Sequence, residues 1–406
     1  MAYQFHIDAF DNKRVDGWIY LAESPEQPVA LDLLIDGRLE KKIIADIKRQ
    51  DLTEAKIGGH GRCAFSAEFG DVVGMRSTPL LELKISGTDL TVAMQNGEVQ
   101  RKTTSSFGGL WVDRADFLKE AIRRYNADLI PEHLFQHCME FSVKGYTVFR
   151  GLIEDDIIDQ INKDIDDIWE TNSTSAIIET YQDGGVLKFL PALSKFKGGT
   201  NKLLDVYAFS EAARQAIFHR GISDFLNIIF EGPAVAFQSL SFIVGSEQPI
   251  HKDTCYVRIT PETHLAASWI ALEDVEAGTG ELEYYVGSHR ERDYIFGGKS
   301  KWSYLYESET DNCLASYQVD AERFGHKKER FLAKKGDVLI WHADLAHGGS
   351  PRIHPDKTRK SLVAHYGPQT AKVFYADSPH LSFSHGEQRF MSSVYIEQGG
   401  KIKSTL

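Results

Sequence analysis

The stretch Pro249-Ile250-His251-Lys252-Asp253-Thr254-Cys255 places a histidine and an aspartate two positions apart. On a β-strand, residues i and i+2 point to the same side. The imidazole of His251 and the carboxylate of Asp253 therefore converge on one point, while Lys252 faces out. A ring nitrogen and a carboxylate oxygen arranged in this way can occupy adjacent corners of a metal site. The stretch predicts two metal ligands and requires a third from elsewhere in the chain.

The third ligand is predicted in residues 336–350, where a turn and an apolar strand precede His347 and two glycines follow it. His342, five residues earlier, is the alternative. Two histidines and one carboxylate form the facial set of non-haem Fe(II) oxygenases, which leaves open coordination positions. We favour His347 as the partner of His251 and Asp253, and part of that preference rests on the resemblance described below.

A candidate anion-binding residue follows. Arg359 lies twelve residues after His347, in the strand-like run Thr358–Tyr366. An arginine that points into a barrel is costly unless it meets a fixed anion. Its planar guanidinium suits a carboxylate in bidentate geometry, as a dicarboxylate co-substrate would supply. A surface arginine on an edge strand is the alternative, and it is favoured when Arg359 is considered alone.

The composition favours a folded protein of two or three domains. The 406 residues are 42% hydrophobic and include 23 Phe, 16 Tyr and 6 Trp, which is enough apolar surface for a sizeable core. The net charge of −12 argues against a nucleic-acid or anionic membrane partner. The four cysteines show no CxxC spacing, so neither a disulfide framework nor a thiolate zinc site is predicted. Without a signal-peptide pattern or a run approaching the ~20 apolar residues of a membrane span, we expect a cytoplasmic protein.

Three regions differ in their sequence pattern. Residues 1–100 read as short strands separated by turns, with Asp36-Gly37 as a hairpin signal, and predict a small accessory β-sandwich. Residues 101–140 turn polar and glycine-rich and then helical, which predicts a helical connector. Residues 141–406 form the third region, in which strand-like runs punctuated by glycines predominate.

These motifs together resemble the phytanoyl-CoA dioxygenase family of Fe(II)/2-oxoglutarate-dependent oxygenases. The likeness includes the HxD pair, the distal histidine before small residues and the arginine a dozen residues on. It extends to the intervening stretches Leu265–Asp274, Gly278–Leu282 and Gly287–Arg290. The resemblance implies a double-stranded β-helix, or jelly roll, over residues 141–406. The expected fold is therefore mainly β with helices, a jelly-roll catalytic domain preceded by the small β-sandwich.

The same resemblance implies an activity. The expected enzyme is a dioxygenase that uses Fe(II), 2-oxoglutarate and O2, hydroxylates a small molecule and releases succinate and CO2. His251, Asp253 and His347 match the iron ligands, and Arg359 matches the residue that binds the distal carboxylate of 2-oxoglutarate. Halogenating relatives lack the carboxylate ligand, so Asp253 favours hydroxylation or a related desaturation.

The resemblance also implies further co-substrate contacts. Gln238 falls where family members place such a contact on an early strand, and Trp269 matches an aromatic residue that lines the same pocket. Family members often carry a hydroxyl two residues after the distal histidine, but here Gly349 stands at that place. Ser350, Ser361 or a water molecule would have to take this role.

The first hundred residues resemble a β-sandwich module found attached to bacterial sugar-processing enzymes. This second resemblance rests on Gly17-Trp18, Leu34–Gly37, Arg49–Leu52 and the stretch from Gly61 to Phe65. It adds a glycoconjugate to small metabolites as a predicted substrate class. Two alternatives to the oxygenase remain, namely a non-catalytic glycan-binding protein on an oxygenase-like barrel and a cupin-type metal enzyme that does not use 2-oxoglutarate.

Overall fold

Two compact units make up the chain, and each is described by itself. The first comprises Met1–Ser106 and Asp113–Ala115, and the second comprises Phe107–Val112 and Asp116–Leu406. The computed structural model describes residues 3–11, 14–35, 38–68, 80–96, 107–114, 116–173, 175–182, 186–375, 378–379, 381–385, 388–392, 394–398 and 401–404.

The first unit is built from two antiparallel four-stranded sheets. Its elements are β1 (Tyr3–Phe10), β2 (Arg14–Leu21), β3 (Val29–Ile35), β4 (Arg38–Ala45), β5 (Ile47–Lys48), α1 (Gln50–Glu54), α2 (Gly58–Gly61), β6 (Arg62–Glu68), β7 (Leu80–Ile85) and β8 (Thr91–Asn96). The strand orders are β1-β2-β6-β5 and β4-β3-β7-β8. β3 and β4 pair as neighbours, while the predicted hairpin turn at Asp36-Gly37 lies outside the described residues.

The two sheets of the first unit share one hydrophobic core. Alternate residues of β2 and β6, such as Val15, Ile19 and Phe65, are buried with Leu31 of β3 and Leu83 of β7. The period-two burial follows from the alternation of side chains along a strand. The predicted β-sandwich is therefore what residues 3–96 form where the structure describes them.

The second unit contains six helices and most of the strands in the described part of the chain. The helices are α3 (Phe117–Asn126), α4 (Glu132–Lys144), α5 (Asp155–Glu170), α6 (Glu211–Ile217), α7 (Arg220–Phe230) and α8 (Thr310–Arg323). The strands are β9 (Tyr146–Phe149), β10 (Ile177–Gln182), β11 (Val186–Pro191), β12 (Lys202–Leu204), β13 (Ala234–Phe242), β14 (Arg258–Thr260), β15 (Ala266–Ala271), β16 (Leu282–Tyr285), β17 (Lys328–Phe331), β18 (Val338–His342), β19 (His347–Gly349), β20 (Ser361–Pro368), β21 (Lys372–Tyr375), β22 (Ser378–Pro379), β23 (Leu381–His385), β24 (Gln388–Ser392), β25 (Tyr395–Gln398) and β26 (Lys401–Ser404).

Two sheets of the second unit face each other as the jelly roll. The large sheet has the order β11-β10-β12-β13-β20-β15-β18-β9, and the small sheet has the order β17-β16-β19. A bridge between His251 and His347 extends the small sheet by one position. Trp269 and Val363 of the large sheet share a buried core with Phe331 of the small sheet. The predicted jelly roll is thus confirmed.

Helices cover the other face of the large sheet. Phe141 of α4, Ile161 of α5 and Phe225 of α7 pack in one core with Ile340 and Leu362 of the sheet. The helices α3 and α4 were expected in a separate connector over residues 101–140, but they belong to this core. The reason is physical, because the apolar face of an amphipathic helix needs a partner surface and the sheet supplies one.

A long insertion separates two neighbouring strands of the small sheet. β16 and β17 pair directly, with Tyr285 opposite Lys328, so residues 286–327 leave the sheet and return to the same point. We call residues 286–327 the insertion; it contains short 3₁₀ turns and α8. Its Phe296 and Cys313 are buried against Cys255 and Ala346, which lie beside the predicted metal ligands.

Across the described residues, the structure contains no helix with the length and apolar character that a membrane crossing needs.

Candidate metal centre

The three predicted ligands lie together in the jelly roll. One ligand atom from each of His251, Asp253 and His347 lies within 4.8 Å of the other two. The backbones of the two histidines form a reciprocal antiparallel bridge, with N–H···O=C distances of 2.8 and 2.9 Å. The Asp253 Oδ1 atom lies 3.8 Å from Nε2 of His251 and 3.6 Å from Nε2 of His347. Strand pairing therefore joins ligands that are distant in sequence.

Backbone carbonyls orient both imidazole rings. The Nδ1 atom of His251 lies 2.8 Å from the carbonyl oxygen of Pro249, and that of His347 lies 2.8 Å from the carbonyl oxygen of Leu345. Since a carbonyl only accepts a hydrogen bond, each Nδ1 carries a proton, and each Nε2 lies on the side of Asp253. Burial, reinforced by the His347 ring, lowers the pKa of His251 to about 3. The His251 ring is therefore neutral at physiological pH, the form that binds metal.

The second carboxylate oxygen of Asp253 has its own partners. The indole N–H of Trp341 donates to Oδ2 at 2.7 Å, and Nε2 of His365 lies 3.6 Å from the same oxygen. Burial alone would raise the pKa of Asp253, but His347 and His365 outweigh it and hold the pKa well below its usual value. The carboxylate is thus ionised, with Oδ1 left for a metal. Sequence reasoning missed Trp341 and His365.

His342, the alternative third ligand, lies elsewhere. Its ring stands 5.8 Å from the ring of Phe141 in α4 and 5.3 Å from that of His289. Its Nδ1 accepts a hydrogen bond from the backbone N–H of Asp344 at 3.0 Å. The structure therefore places His347 in the cluster and His342 on the helical side of the sheet.

Arg359 is a buried cation. Its side chain is 3% exposed, its Nε donates to the carbonyl oxygen of Gly280 at 3.0 Å, and its Nη1 donates to the hydroxyl of Ser361 at 2.8 Å. No carboxylate forms an ion pair with it in the part of the chain that the structure describes. Burial lowers the pKa of Arg359 to about 10, which still leaves it charged at neutral pH. A buried guanidinium with spare N–H donors fits a carboxylate ligand.

The other residues predicted to contact the co-substrate are Trp269, Gln238 and Ser350. The ring of Trp269 lies 5.5 Å from the guanidinium carbon of Arg359. Gln238 is half-buried on β13 and pairs in register with His365, so it lies on the metal side of the sheet. The backbone N–H of Ser350 donates to the carbonyl of Glu281 at 2.9 Å, but the hydroxyl that contacts Arg359 is that of Ser361.

Steric crowding explains why position 349 is a glycine. A Cβ atom at Gly349 would lie 2.8 Å from the backbone nitrogen of Glu247, closer than any side chain tolerates. Since the chain passes so near, the hydroxyl that family members often carry two residues after His347 does not fit here.

Lys252 corrects one expectation. It points away from the cluster, as the alternation predicts, but it does not face solvent, because it is only 2% exposed. Its ammonium donates to the carbonyl of Ser288 at 3.3 Å and stands 5.0 Å from the ring centre of Tyr317. Ser288 and Tyr317 both belong to the insertion, which covers this side of the small sheet.

The His251–Asp253–His347 cluster lies in a segment of the chain that matches a known protein family. Residues 141–361, more than half of the 406-residue chain, match the phytanoyl-CoA dioxygenase (PhyH) family. The chain belongs to the phytanoyl-CoA dioxygenase family. It is therefore an enzyme of the Fe(II)/2-oxoglutarate-dependent oxygenase superfamily, and the segment matched to the PhyH family contains His251, Asp253, His347 and Arg359. No curated protein matches the chain.

Solved structures similar to this PhyH-family chain include three enzymes. The non-heme alpha ketoglutarate dependent epimerase SnoN from nogalamycin biosynthesis is 14% identical over 64% of this chain and 99% of its own, with a TM-score of 0.44. The carbocyclase SnoK from the same biosynthesis is 14% identical over 66% and 98%, with a TM-score of 0.46. EctD from S. alaskensis with bound Fe is 16% identical over 60% and 79%, with a TM-score of 0.43. Family membership rests on the matched sequence segment and not on these distant likenesses.

Proposed function

We propose that the chain is an Fe(II)- and 2-oxoglutarate-dependent dioxygenase that hydroxylates a small metabolite or a glycoconjugate. One observation carries the proposal. A buried cluster of two histidines and one carboxylate occupies the same jelly roll as a buried arginine that has no carboxylate partner among the described residues. The first arrangement suits a redox metal, and the second suits the far end of a dicarboxylate.

The ligand set supports iron. His251, Asp253 and His347 would hold Fe(II) through two nitrogens and one oxygen, which leaves the remaining coordination positions open. When bound, iron supplies the oxidising chemistry, in which O2 and 2-oxoglutarate are consumed and succinate and CO2 are released. The residues themselves keep the Nε2 atom of His251 unprotonated and the Asp253 carboxylate ionised.

Arg359 would bind the distal carboxylate of 2-oxoglutarate. The hydroxyl of Ser361 and the carbonyl of Gly280 fix the plane of the guanidinium, so the remaining N–H donors keep one orientation. The rings of Trp269 and Phe242 flank it at 5.5 and 5.7 Å and exclude water. The attraction between a guanidinium and a carboxylate is stronger where water is excluded.

Asp253 supports hydroxylation as the outcome. Because halogenating relatives lack the carboxylate ligand, an intact Asp253 argues against halide binding at the metal. Its orientation by Trp341 further favours a stable ligand role for this carboxylate.

Tyr256 marks the side from which a substrate would approach. Its ring is 43% exposed and meets the His251 ring edge-on, with 5.6 Å between ring centres. The ammonium of Lys202 lies 2.7 Å from the carboxylate of Glu179 on the adjacent strand. Burial chiefly, then the His347 ring and to a smaller extent the Lys202 ammonium lower the pKa of His251. The exposed ring of Tyr256 suits a hydroxylated ring, which stacks on an aromatic face.

Anaerobic calorimetry tests the binding part of the proposal. We expect wild-type protein to bind Fe(II) and, once loaded, 2-oxoglutarate. His251→Ala should abolish metal binding, and Arg359→Ala should weaken 2-oxoglutarate binding by about a hundredfold or more. Exposed His133 and exposed Arg220 offer matched controls, because alanine at either position should leave both affinities unchanged.

Turnover separates the proposal from its alternatives. Iron-loaded protein should form succinate from 2-oxoglutarate in an O2-dependent manner, and a panel of metabolites and glycosides should stimulate this. Glycan binding without any succinate formation would support the non-catalytic alternative. Metal-dependent activity that survives Arg359→Ala would support a cupin-type enzyme that does not use 2-oxoglutarate.

A further inference from the structure

The insertion packs directly behind the metal ligands. Its Phe296, Cys313 and Tyr317 form a buried cluster with Ile250, Cys255 and Ala346. These last three residues lie next to His251, two positions after Asp253 and next to His347, in that order. The cluster is therefore joined to the metal ligands by short stretches of backbone.

Two thiols face each other within the cluster. The Sγ atoms of Cys255 and Cys313 are 3.8 Å apart, and both side chains are buried. The Cys255 sulfur also lies 2.8 Å from the hydroxyl of Tyr317. Both cysteines are free thiols, although 58 residues of sequence separate them. Thiols at this separation need only a small movement to form a disulfide.

The surroundings of Cys313 favour its thiolate. A hydrogen bond from Cys255 is the main cause that lowers the pKa of Cys313, and the buried ammonium of Lys252 contributes. The thiolate is the form of cysteine that reacts with an oxidant. By contrast, burial raises the pKa of Cys138 to about 12, so that thiol stays protonated and inert.

We propose that Cys255 and Cys313 form an oxidation site, at which a peroxide closes a disulfide that lowers the affinity of the His251–Asp253–His347 cluster for metal. The Cys313 thiolate attacks one oxygen of hydrogen peroxide, the O–O bond breaks, and hydroxide leaves as the sulfur becomes a sulfenic acid. The Cys255 thiol then attacks that sulfur, the S–O bond breaks and water leaves. The hydroxide takes up the proton that the Cys313 thiol lost on ionisation, so two thiols are oxidised by two electrons in total and one peroxide is reduced to two water molecules.

The geometry explains why the disulfide would disturb the metal ligands. Cys255 closes a 3₁₀ turn that begins at Asp253, in which its N–H donates to the carbonyl of Lys252 at 3.0 Å. Bonded sulfurs are about 2 Å apart, so the two sulfurs must approach each other by more than an ångström when the bond forms, and the turn that carries Cys255 shares in this movement. Because Asp253 begins that turn, its carboxylate is displaced relative to the two Nε2 atoms.

Burial also predicts which oxidants act. A small peroxide reaches buried sulfurs through local opening, whereas glutathione disulfide is too bulky to attack either thiol without unfolding the cluster. The site should therefore respond to hydrogen peroxide and not to glutathione disulfide. Its effect on metal affinity rests on the proposed metal centre, but disulfide formation itself does not.

The test uses full-length, metal-free, reduced protein. After stoichiometric hydrogen peroxide, we expect the intact mass to fall by two hydrogens and a peptide map to show Cys255 linked to Cys313. Titration with Co(II), read from its visible absorption, should then show an affinity at least about tenfold lower than that of the reduced protein. Dithiothreitol should restore both the mass and the affinity.

Variants separate the possible results. Cys313→Ser should keep the metal affinity of the reduced protein and lose the peroxide response, whereas Cys138→Ser should keep the response. Absence of the disulfide in wild-type protein, or a peroxide effect on affinity that persists in Cys313→Ser, overturns the proposal. If reduced wild-type protein binds no metal at all, the proposed function fails, and the peptide map still decides whether the thiol pair is oxidised.

Discussion

At the scale of single residues, the orientation of Asp253 depends on a donor outside the metal ligands. The indole N–H of Trp341 occupies Oδ2 at 2.7 Å and leaves Oδ1 towards the two histidines. Hydrogen bonds of this kind typically contribute about 10- to 100-fold to metal affinity, because they fix the ligand in its binding geometry.

We therefore expect Trp341→Phe to lower the affinity for Co(II) or Fe(II) about tenfold, since phenylalanine keeps the ring but removes the donor. Anaerobic metal titration of the folded variant measures this. Trp302→Phe is the matched control, because the Trp302 ring lies against Arg258 and not against a metal ligand. Equal metal affinities for Trp341→Phe and wild-type protein would contradict the orienting role.

The hydroxyl that assists Arg359 is a second question at this scale. Ser361 contacts Nη1 at 2.8 Å, whereas Ser350 donates through its backbone to Glu281. We expect Ser361→Ala to raise the Kd for 2-oxoglutarate about fivefold, the equivalent of one hydrogen bond of about 1 kcal/mol. Ser350→Ala serves as the comparison and should change the Kd by less than about twofold. The reverse order of effects would assign the role to Ser350.

At the scale of elements, strand alternation explains what the sequence could predict about the site. The spacing of His251 and Asp253 constrains both side chains to one side, and that local rule survives folding. Trp341 and His365 also follow the alternation, but a buried ring on an inner strand face looks like ordinary core. Only the three-dimensional contact with Asp253 distinguishes them, and sequence carries no local signal for that contact.

The insertion could not be predicted from the sequence either. Its short 3₁₀ turns have no period that could be read from the sequence, and its contacts join distant positions. The ammonium of Lys301 lies 2.7 Å from Asp344 and 2.6 Å from Asp293, and the hydroxyl of Thr254 donates to Asp344 at 2.6 Å. This buried network ties the insertion to the segment that follows Asp253.

We expect Lys301→Met to lower the free energy of unfolding by about 3 kcal/mol at pH 7, because the variant leaves the Asp344 carboxylate buried without its main cation. Urea unfolding measures the loss. Lys327→Met, at an exposed position paired with Glu329, is the control and should change stability by less than about 0.5 kcal/mol. Similar losses of unfolding free energy in both variants would contradict a stabilising role for the buried network.

The same variant has a predicted pH dependence. Burial raises the pKa of Asp344, but the ammonium groups of Lys301 and Lys252 outweigh it and hold the pKa below its usual value. In wild-type protein this contribution to stability is present above the unfolded pKa of about 4 and is lost as the pH falls below it. Without Lys301 the folded pKa rises, so protonation relieves the unpaired charge. The difference in unfolding free energy between Lys301→Met and wild-type protein should therefore decrease as the pH is lowered from 7 to 4.

At the scale of the whole molecule, the two units have separate cores. Val15, Leu31 and Leu83 belong to a core confined to the first unit, while the candidate site residues all belong to the second unit. The sequence changes from strand-like to polar near residue 100, and the first compact unit comprises Met1–Ser106 and Asp113–Ala115. The place of α3 and α4 could not be predicted in the same way, because an amphipathic helix shows which face is buried but not against what.

Removal of the first unit provides the last prediction. A chain of residues 107–406 keeps both sheets of the jelly roll, the helices that cover the large sheet, and all the metal and co-substrate residues. We expect it to fold cooperatively and to bind Fe(II) and 2-oxoglutarate with affinities within about threefold of those of the full chain. A threefold change in affinity corresponds to a difference of about 0.7 kcal/mol in binding free energy, which is smaller than the loss of a typical direct contact. Calorimetry and uncoupled succinate formation measure this, with residues 1–106 alone as the control that should bind neither. If glycosides stimulate turnover by the full chain and not by residues 107–406, the first unit contributes to substrate binding. A folded fragment that no longer binds 2-oxoglutarate would contradict the prediction that the second unit contains the complete co-substrate site.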